Sequence, residues 1–183
     1  MQRKYYIKPI AILVCIICVC AILTYLYLQI PNDAPNADSV KDLQASAGHV
    51  FTDLQGTAIT FEPFEGKVRV VNSWASWTPF SVQELRDLEQ LASEVSKDEV
   101  AVLAINRKEP KEMAIQFLGT IFKFENITFM IDVSDYFYNS VGGFAMPETI
   151  FYDKKGSVVY HARGSLTLEQ MRLHTKEAID HVQ

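Results

Sequence analysis

Val68-Arg-Val-Val-Asn-Ser-Trp-Ala-Ser-Trp-Thr-Pro-Phe-Ser81 is an apolar run that breaks into a turn-forming cluster and then opens a helical pattern over residues 82–96. The nearly continuous apolar character of residues 68–73 predicts a strand buried on both faces. Beyond the turn, Val82, Leu85, Leu88 or Glu89, and Ala92 recur at helical spacing, with Leu91 and Val95 widening the stripe. Ser81 stands where a helix N-cap is expected. In an α/β sheet the crevice at a strand's carboxyl end, facing a helix N-terminus, is where ligands bind. Here that crevice offers two hydroxyls, Thr78 and Ser81, and two aromatic rings, Trp77 and Phe80.

Outward from this stretch the pattern is alternately strand and helix. Residues 49–54 and 58–61 alternate like strands around the turn Gln55-Gly56, and Glu65-Gly66-Lys67 leads into the central strand. On the other side come a second buried strand at 100–105 and a helix from Pro110 to about Lys123. Its expected apolar face is Met113, Ile115, Phe117, Leu118, Ile121 and Phe122. A third strand at 127–131, a short helix near 134–140, and Gly142-Gly143 follow. The chain then reads as a strand at 148–152, the turn Asp153-Lys-Lys-Gly156, a strand at 158–162 and a last helix from 168 to about 181.

The N-terminal part is different in kind. Residues 9–30 contain no charged side chain, and at about 1.5 Å per residue 22 positions are enough to cross the roughly 30 Å hydrocarbon core. Arg3, Lys4 and Lys8 precede this span, while Asp33 and Asp38 follow it with no base before Lys41, which places residues 1–8 in the cytoplasm and the rest outside. A cleaved signal peptide is the competing reading; the apolar run is long for one, and no clean small-x-small cleavage site follows. Residues 31–47, rich in Pro, Asn, Asp, Ala and Ser, read as a linker, and residues 48–183 as the folded domain.

All three cysteines, Cys15, Cys18 and Cys20, lie in the apolar span. Away from water and from any charge that would stabilise a thiolate, they are expected to be inert. Residues 21–183 contain no cysteine, so that part can form no internal disulfide and perform no dithiol exchange by itself. It holds 14 bases against 22 acids, a net charge of −8, which argues against nucleic acid as a partner.

Trp74-Ala75-Ser76-Trp77 followed by a four-residue turn resembles the WAxWCxxC active site of membrane-anchored thioredoxin-like proteins of the TlpA/ResA type. Three other parts share the resemblance: the strand–turn entry at 51–56, Met146-Pro147-Glu148-Thr149 before a strand, and the Asp153-x-x-Gly156 hairpin. It covers about residues 48–181. The resemblance implies an α/β thioredoxin-like fold, a central mixed β-sheet flanked by helices, here with one N-terminal transmembrane helix. It also implies a cis proline at Pro147 and, beside it, a backbone that pairs with an extended peptide. In the family the turn is Cys-x-x-Cys; in this chain Thr78 and Ser81 occupy the two sulfur positions.

The expected site is therefore a binding groove of Trp77, Thr78, Pro79, Phe80, Ser81, Met146, Pro147 and Glu148, with no catalytic residue, cofactor or metal. Trp74 is expected to pack under the turn and Trp77 to be partly exposed. Glu148 is read either as a carboxylate at the groove lip that favours basic peptides or as a solvated strand-start residue. Glu84 matches a glutamate often found after the second family cysteine and is expected on the helix surface or in packing. The hydroxyls lack a base: Asn72 stands two before Trp74, and His49, His161, His174 and His181 are expected at the surface without metal-ligand spacing. A peroxiredoxin-like Thr-x-x-Cys reading meets the same obstacle, because Ser81 stands where the attacking thiolate belongs.

The expected function is a redox-inactive domain outside the cytoplasm that binds an extended peptide or protein partner. In the family, the corresponding proteins serve cell redox homeostasis and cytochrome c maturation. Two alternatives are an oxidoreductase or peroxiredoxin-like enzyme that borrows a thiol from a cysteine-bearing partner, and a purely structural envelope protein.

Overall fold

In the computed structural model, residues 48–181 are described, together with residues 12, 13, 17 and 18. Those last four are helical, and the remainder of the predicted span at 9–30 and the predicted linker at 31–47 lie outside the described residues. Among the described residues no helix is long and apolar enough to cross a membrane.

The apolar runs become the middle of a seven-stranded mixed sheet. Its strands are β1 (Phe51–Thr52), β2 (Ala58–Ile59), β3 (Val68–Trp74), β4 (Val100–Arg107), β5 (Thr128–Asp132), β6 (Glu148–Tyr152) and β7 (Val158–Arg163). They lie in the order β2-β1-β5-β4-β3-β6-β7. The parallel pairs β3–β4 and β4–β5 form the centre, with antiparallel pairing of β3–β6, β6–β7, β1–β5 and β1–β2 outside them. Parallel strands buried on both faces need side chains that are mostly apolar, as β3 and β4 supply apart from Arg69, Asn72, Ser73, Asn106 and Arg107.

The helices are α1 (Ser81–Glu94), α2 (Lys111–Ile121), α3 (Tyr136–Ser140) and α4 (Leu168–Asp180), with a 3-10 turn at Glu62–Phe64. Strand alternation divides the core in two. Val68, Val70, Trp74, Val102, Ala104 and Phe151 face Leu85, Leu88 and Leu91 of α1, Leu118 of α2 and Met171 of α4. Val71, Leu103, Ile105, Met130, Ile150 and Tyr152 face Phe61, Phe137 of α3 and Val141.

One local reading is corrected. Half of the expected apolar face of α2 is outside: Leu118 is buried, Phe117 and Ile121 half-buried, whereas Met113, Ile115 and Phe122 are exposed, and Ala114 is buried beside Leu118. The helix meets the core along a narrow stripe, and Phe122, at its C-cap in extended backbone, instead packs edge-on to Phe124. In α1, Glu89 turns inward, where its carboxylate accepts hydrogen bonds from the backbone N–H groups of Glu125, Asn126 and Ile127 and so holds the entry to β5.

The last helix is capped by a reciprocal pair. Thr167 Oγ1 accepts from Gln170 N, and Gln170 Oε1 accepts from Thr167 N at 3.0 Å. Thr167→Ala is expected to lower unfolding stability by about 1 kcal/mol, the usual worth of such a cap. Urea unfolding measures it through a shift of midpoint at constant slope.

Candidate functional site

Three segments meet at the carboxyl ends of β3 and β4. The first is the turn at residues 75–80, which leaves β3 and enters α1. The second is the β4–α2 connection, since Trp74 lies opposite Asn106 in the parallel register. The third is the loop at residues 141–147: β6 runs antiparallel to β3 with Ser73 opposite Glu148, which brings the preceding Pro147 to the same end of the sheet. The Met146–Pro147 peptide bond is cis.

The two hydroxyls of the turn close on each other. Thr78 Oγ1 and Ser81 Oγ are hydrogen-bonded at 2.7 Å, both residues are buried, and Ser81 N donates to Thr78 Oγ1 at 3.3 Å. Ser81 therefore does not cap α1 as expected: it is the first residue of the helix, and Phe80, the N-cap residue, makes no side-chain cap hydrogen bond. Around this buried pair the turn presents apolar surface. Trp77 is 64% exposed, and Pro79 and Phe80 are exposed as well. Met146 is half-buried and Pro147 buried.

Trp74 is fully buried as expected, stacked on Phe117 and edge-on to Phe129. The turn above it is fixed by a buried carboxylate that the sequence did not single out. Glu109 accepts from Ser76 N at 2.8 Å, from Ser76 Oγ at 2.5 Å and from Asn106 Nδ2 at 2.7 Å. An acid just before a helix reads in sequence as a partner for the helix dipole, which is why this role is invisible there.

Under α1 lies a second buried carboxyl. Glu84, expected on the surface or in packing, is about 1% exposed and sits among Asn72, Thr149 and Leu166. Its Oε1 accepts from Asn72 Nδ2 at 2.9 Å and Thr149 Oγ1 at 2.8 Å, and Oε2 accepts from Leu166 N at 3.3 Å. Burial raises its pKa to about 7 against the pull of the Thr149 and Leu166 hydrogen bonds, with a small further push from Asp87. A carboxyl at that value can hold or release a proton near neutral pH, yet it faces hydroxyl and amide groups only.

Glu148 requires a correction. It is neither a solvent-facing lip nor a solvated strand start, being 1% exposed on the α3 side of the sheet. Register explains its surroundings: Glu148 lies opposite Arg163 on β7, and His161, two residues before Arg163, shares that face. His161 Nε2 approaches Glu148 Oε1 at 2.7 Å and Arg163 Nε approaches it at 3.4 Å, neither with the alignment of a hydrogen bond, while Glu148 Oε2 accepts from Phe144 N at 3.1 Å. A basic peptide therefore cannot reach this carboxylate as the exposed reading required.

The histidines are corrected with it, since none of the four is an exposed surface residue. His49 stacks on Tyr136, His174 stacks on Tyr160 at 3.5 Å, and His181 Nδ1 lies 3.1 Å from Asp153 Oδ2. Among the described residues no three His, Cys, Asp or Glu side chains are grouped to hold a metal.

A helix-opening turn set against a cis proline across the end of a mixed sheet is the thioredoxin-like arrangement. The chain belongs to the Redoxin family, whose model matches residues 32–178. Among curated proteins it is similar to the thiol-disulfide oxidoreductase ResA of Geobacillus thermodenitrificans, at 29% identity over 127 residues, 68% of this chain and 71% of that protein. It is also similar to ResA of Bacillus cereus, at 24% identity over 152 residues, 82% of this chain and 79% of that one. Among solved structures, MTB DsbF superposes with a TM-score of 0.66 at 20% identity, covering 74% of this chain and 98% of the other. The pneumococcal exposed lipoprotein thioredoxin Etrx1 from Streptococcus pneumoniae gives 0.62 at 22% identity, covering 70% and 98%.

Proposed function

We propose that this is a membrane-anchored domain outside the cytoplasm that binds extended polypeptide without dithiol chemistry of its own. The observation that carries the reading is the buried Thr78–Ser81 hydroxyl pair, hydrogen-bonded at 2.7 Å at the two positions where the family resemblance implies the Cys-x-x-Cys sulfurs. A hydroxyl is a far weaker acid than a thiol and supplies no sulfur for a mixed disulfide. What persists around the pair is apolar surface, with Trp77, Pro79 and Phe80 exposed beside the loop at 141–147. Aromatic plates of this kind anchor polypeptide partners through area buried on contact. The uncharged run at 9–30 and the bases before it support the anchor and its orientation.

The test uses the full chain and two probes. With insulin and dithiothreitol, the natural chain is expected to leave the rate of disulfide reduction at that of buffer. With fluorescent carboxymethylated α-lactalbumin, an unfolded polypeptide without free thiols, it is expected to bind, and Trp77→Ala is expected to weaken binding about tenfold, the factor carried by 1.4 kcal/mol. Reduction of insulin by the natural chain, or binding that ignores Trp77→Ala, would overturn the reading.

A further inference from the structure

Phe144 is the most exposed large apolar side chain among the described residues, at 85%, yet its backbone is fixed. Its N–H donates to the buried Glu148 Oε2 at 3.1 Å, and the next carbonyl, Ala145 O, accepts from Tyr138 Oη at 2.9 Å. Each of these two partners is itself held. Glu148 lies against His161 and Arg163 of β7. Tyr138 lies under the Arg107 guanidinium, 3.5 Å from the ring centroid, and Arg107 is paired with Asp135 through Nε at 2.8 Å and also through Nη2. Burial, and secondarily the Glu148 charge, raises the Tyr138 pKa, so its hydroxyl stays protonated as the donor that Ala145 O requires. Gly143 completes the fit, because a Cβ there would fall 2.5 Å from the Tyr138 ring.

An exposed aromatic ring on a backbone tied down from two sides has already lost much of the freedom that binding would otherwise cost. Left in water it gains nothing for folding; against a partner it offers the area of a large anchor. We infer that Phe144 is a partner-contacting residue of the polypeptide groove and that Glu148 is its positioning residue. This rests on the polypeptide-binding reading above. The groove of Trp77, Phe80, Met146 and Pro147 then extends to Phe144, and the partner chemistry it fits is a segment with aliphatic or aromatic side chains.

The experiment again uses the full chain and carboxymethylated α-lactalbumin, with amide hydrogen exchange of residues 141–147 as a second readout. Phe144→Ala is expected to weaken binding about tenfold, an amount equal to about 1.4 kcal/mol, while leaving loop exchange unchanged. Glu148→Ala is expected to weaken binding by a similar factor and to accelerate exchange of the Phe144 amide. Glu148→Gln, which keeps an acceptor oxygen for that N–H, is expected to restore both, an outcome that mere destabilisation would not give. Leu173→Ala, at an exposed position on α4, serves as the control. If Trp77→Ala weakens binding and Phe144→Ala does not, this inference fails while the groove reading stands. Unchanged Phe144 exchange in a folded Glu148→Ala protein removes the positioning role. If neither aromatic matters, the groove reading itself is wrong.

Discussion

Replacing Thr78 and Ser81 together by cysteine is expected to give a chain that reduces insulin at least roughly tenfold faster than the natural one, a factor equivalent to about 1.36 kcal/mol of barrier. The geometry favours it. The two Oγ atoms already face each other at 2.7 Å, and a disulfide closes the same two positions to about 2.05 Å, a modest further approach. Ser81 N points at the Oγ1 of Thr78, so a thiolate at position 78 would receive a backbone N–H at the start of α1, the setting that lowers thiol pKa values. Either single substitution is expected to stay at background, because attack without a resolving thiol ends in a mixed disulfide. Thr78→Cys alone then becomes a trap for cysteine-bearing partners. If the double variant forms its disulfide, as counted by free-thiol titration, and still reduces nothing, the groove does not admit a disulfide substrate.

The second large effect concerns Glu84. Its carboxyl titrates near pH 7 in the folded chain against about 4.5 when unfolded, burial being the principal cause. Below pH 4.5 it is neutral in both states. Between 4.5 and 7 the unfolded chain releases the proton and the folded chain keeps it, so unfolding stability falls as pH rises, by about 3 kcal/mol in all. Glu84→Gln is expected to abolish that slope. Its oxygen can still accept from Asn72 and Thr149, but its amide meets Leu166 N–H, donor against donor, at a cost of about 1 kcal/mol. A net gain of about 2 kcal/mol at pH 8 and a net loss of about 1 kcal/mol at pH 4 are therefore expected. Denaturant unfolding of both chains across this range measures it, and parallel stability curves would show that Glu84 is not the titrating group.

The strands and helices were legible because their cause is local. Residues 68–73 and 100–105 are apolar enough to be buried on both faces, and α1 and α4 carry stripes at helical spacing. That the turn at 78–81 stands at a redox position, and that Pro147 is cis, were legible only through resemblance, since no periodicity marks either. The partners of the buried acids were not legible. Glu84, Glu109 and Glu148 each stand at a helix or strand start, where a carboxylate ordinarily meets water or a helix dipole. What buries them is distant in sequence: Thr149 is 65 residues from Glu84, Ser76 is 33 from Glu109, and β7 supplies His161 and Arg163 to Glu148. Only the sheet register puts these groups together. Phe144 was missed for the opposite reason, because a lone exposed aromatic in a loop carries no pattern.

The hydroxyl pair at Thr78 and Ser81 has one further consequence. A dithiol is a two-state device: it gains or loses two electrons with its surroundings, and the shape and charge of its turn change with them. Two hydroxyls joined by a hydrogen bond have a single covalent form, whatever the oxidant level around them. The turn of this protein is therefore insensitive to redox conditions. Whatever rests against Trp77 and Phe80 meets the same surface in an oxidising medium and in a reducing one, so the grip it experiences is set by temperature, salt and proton concentration but not by electrons.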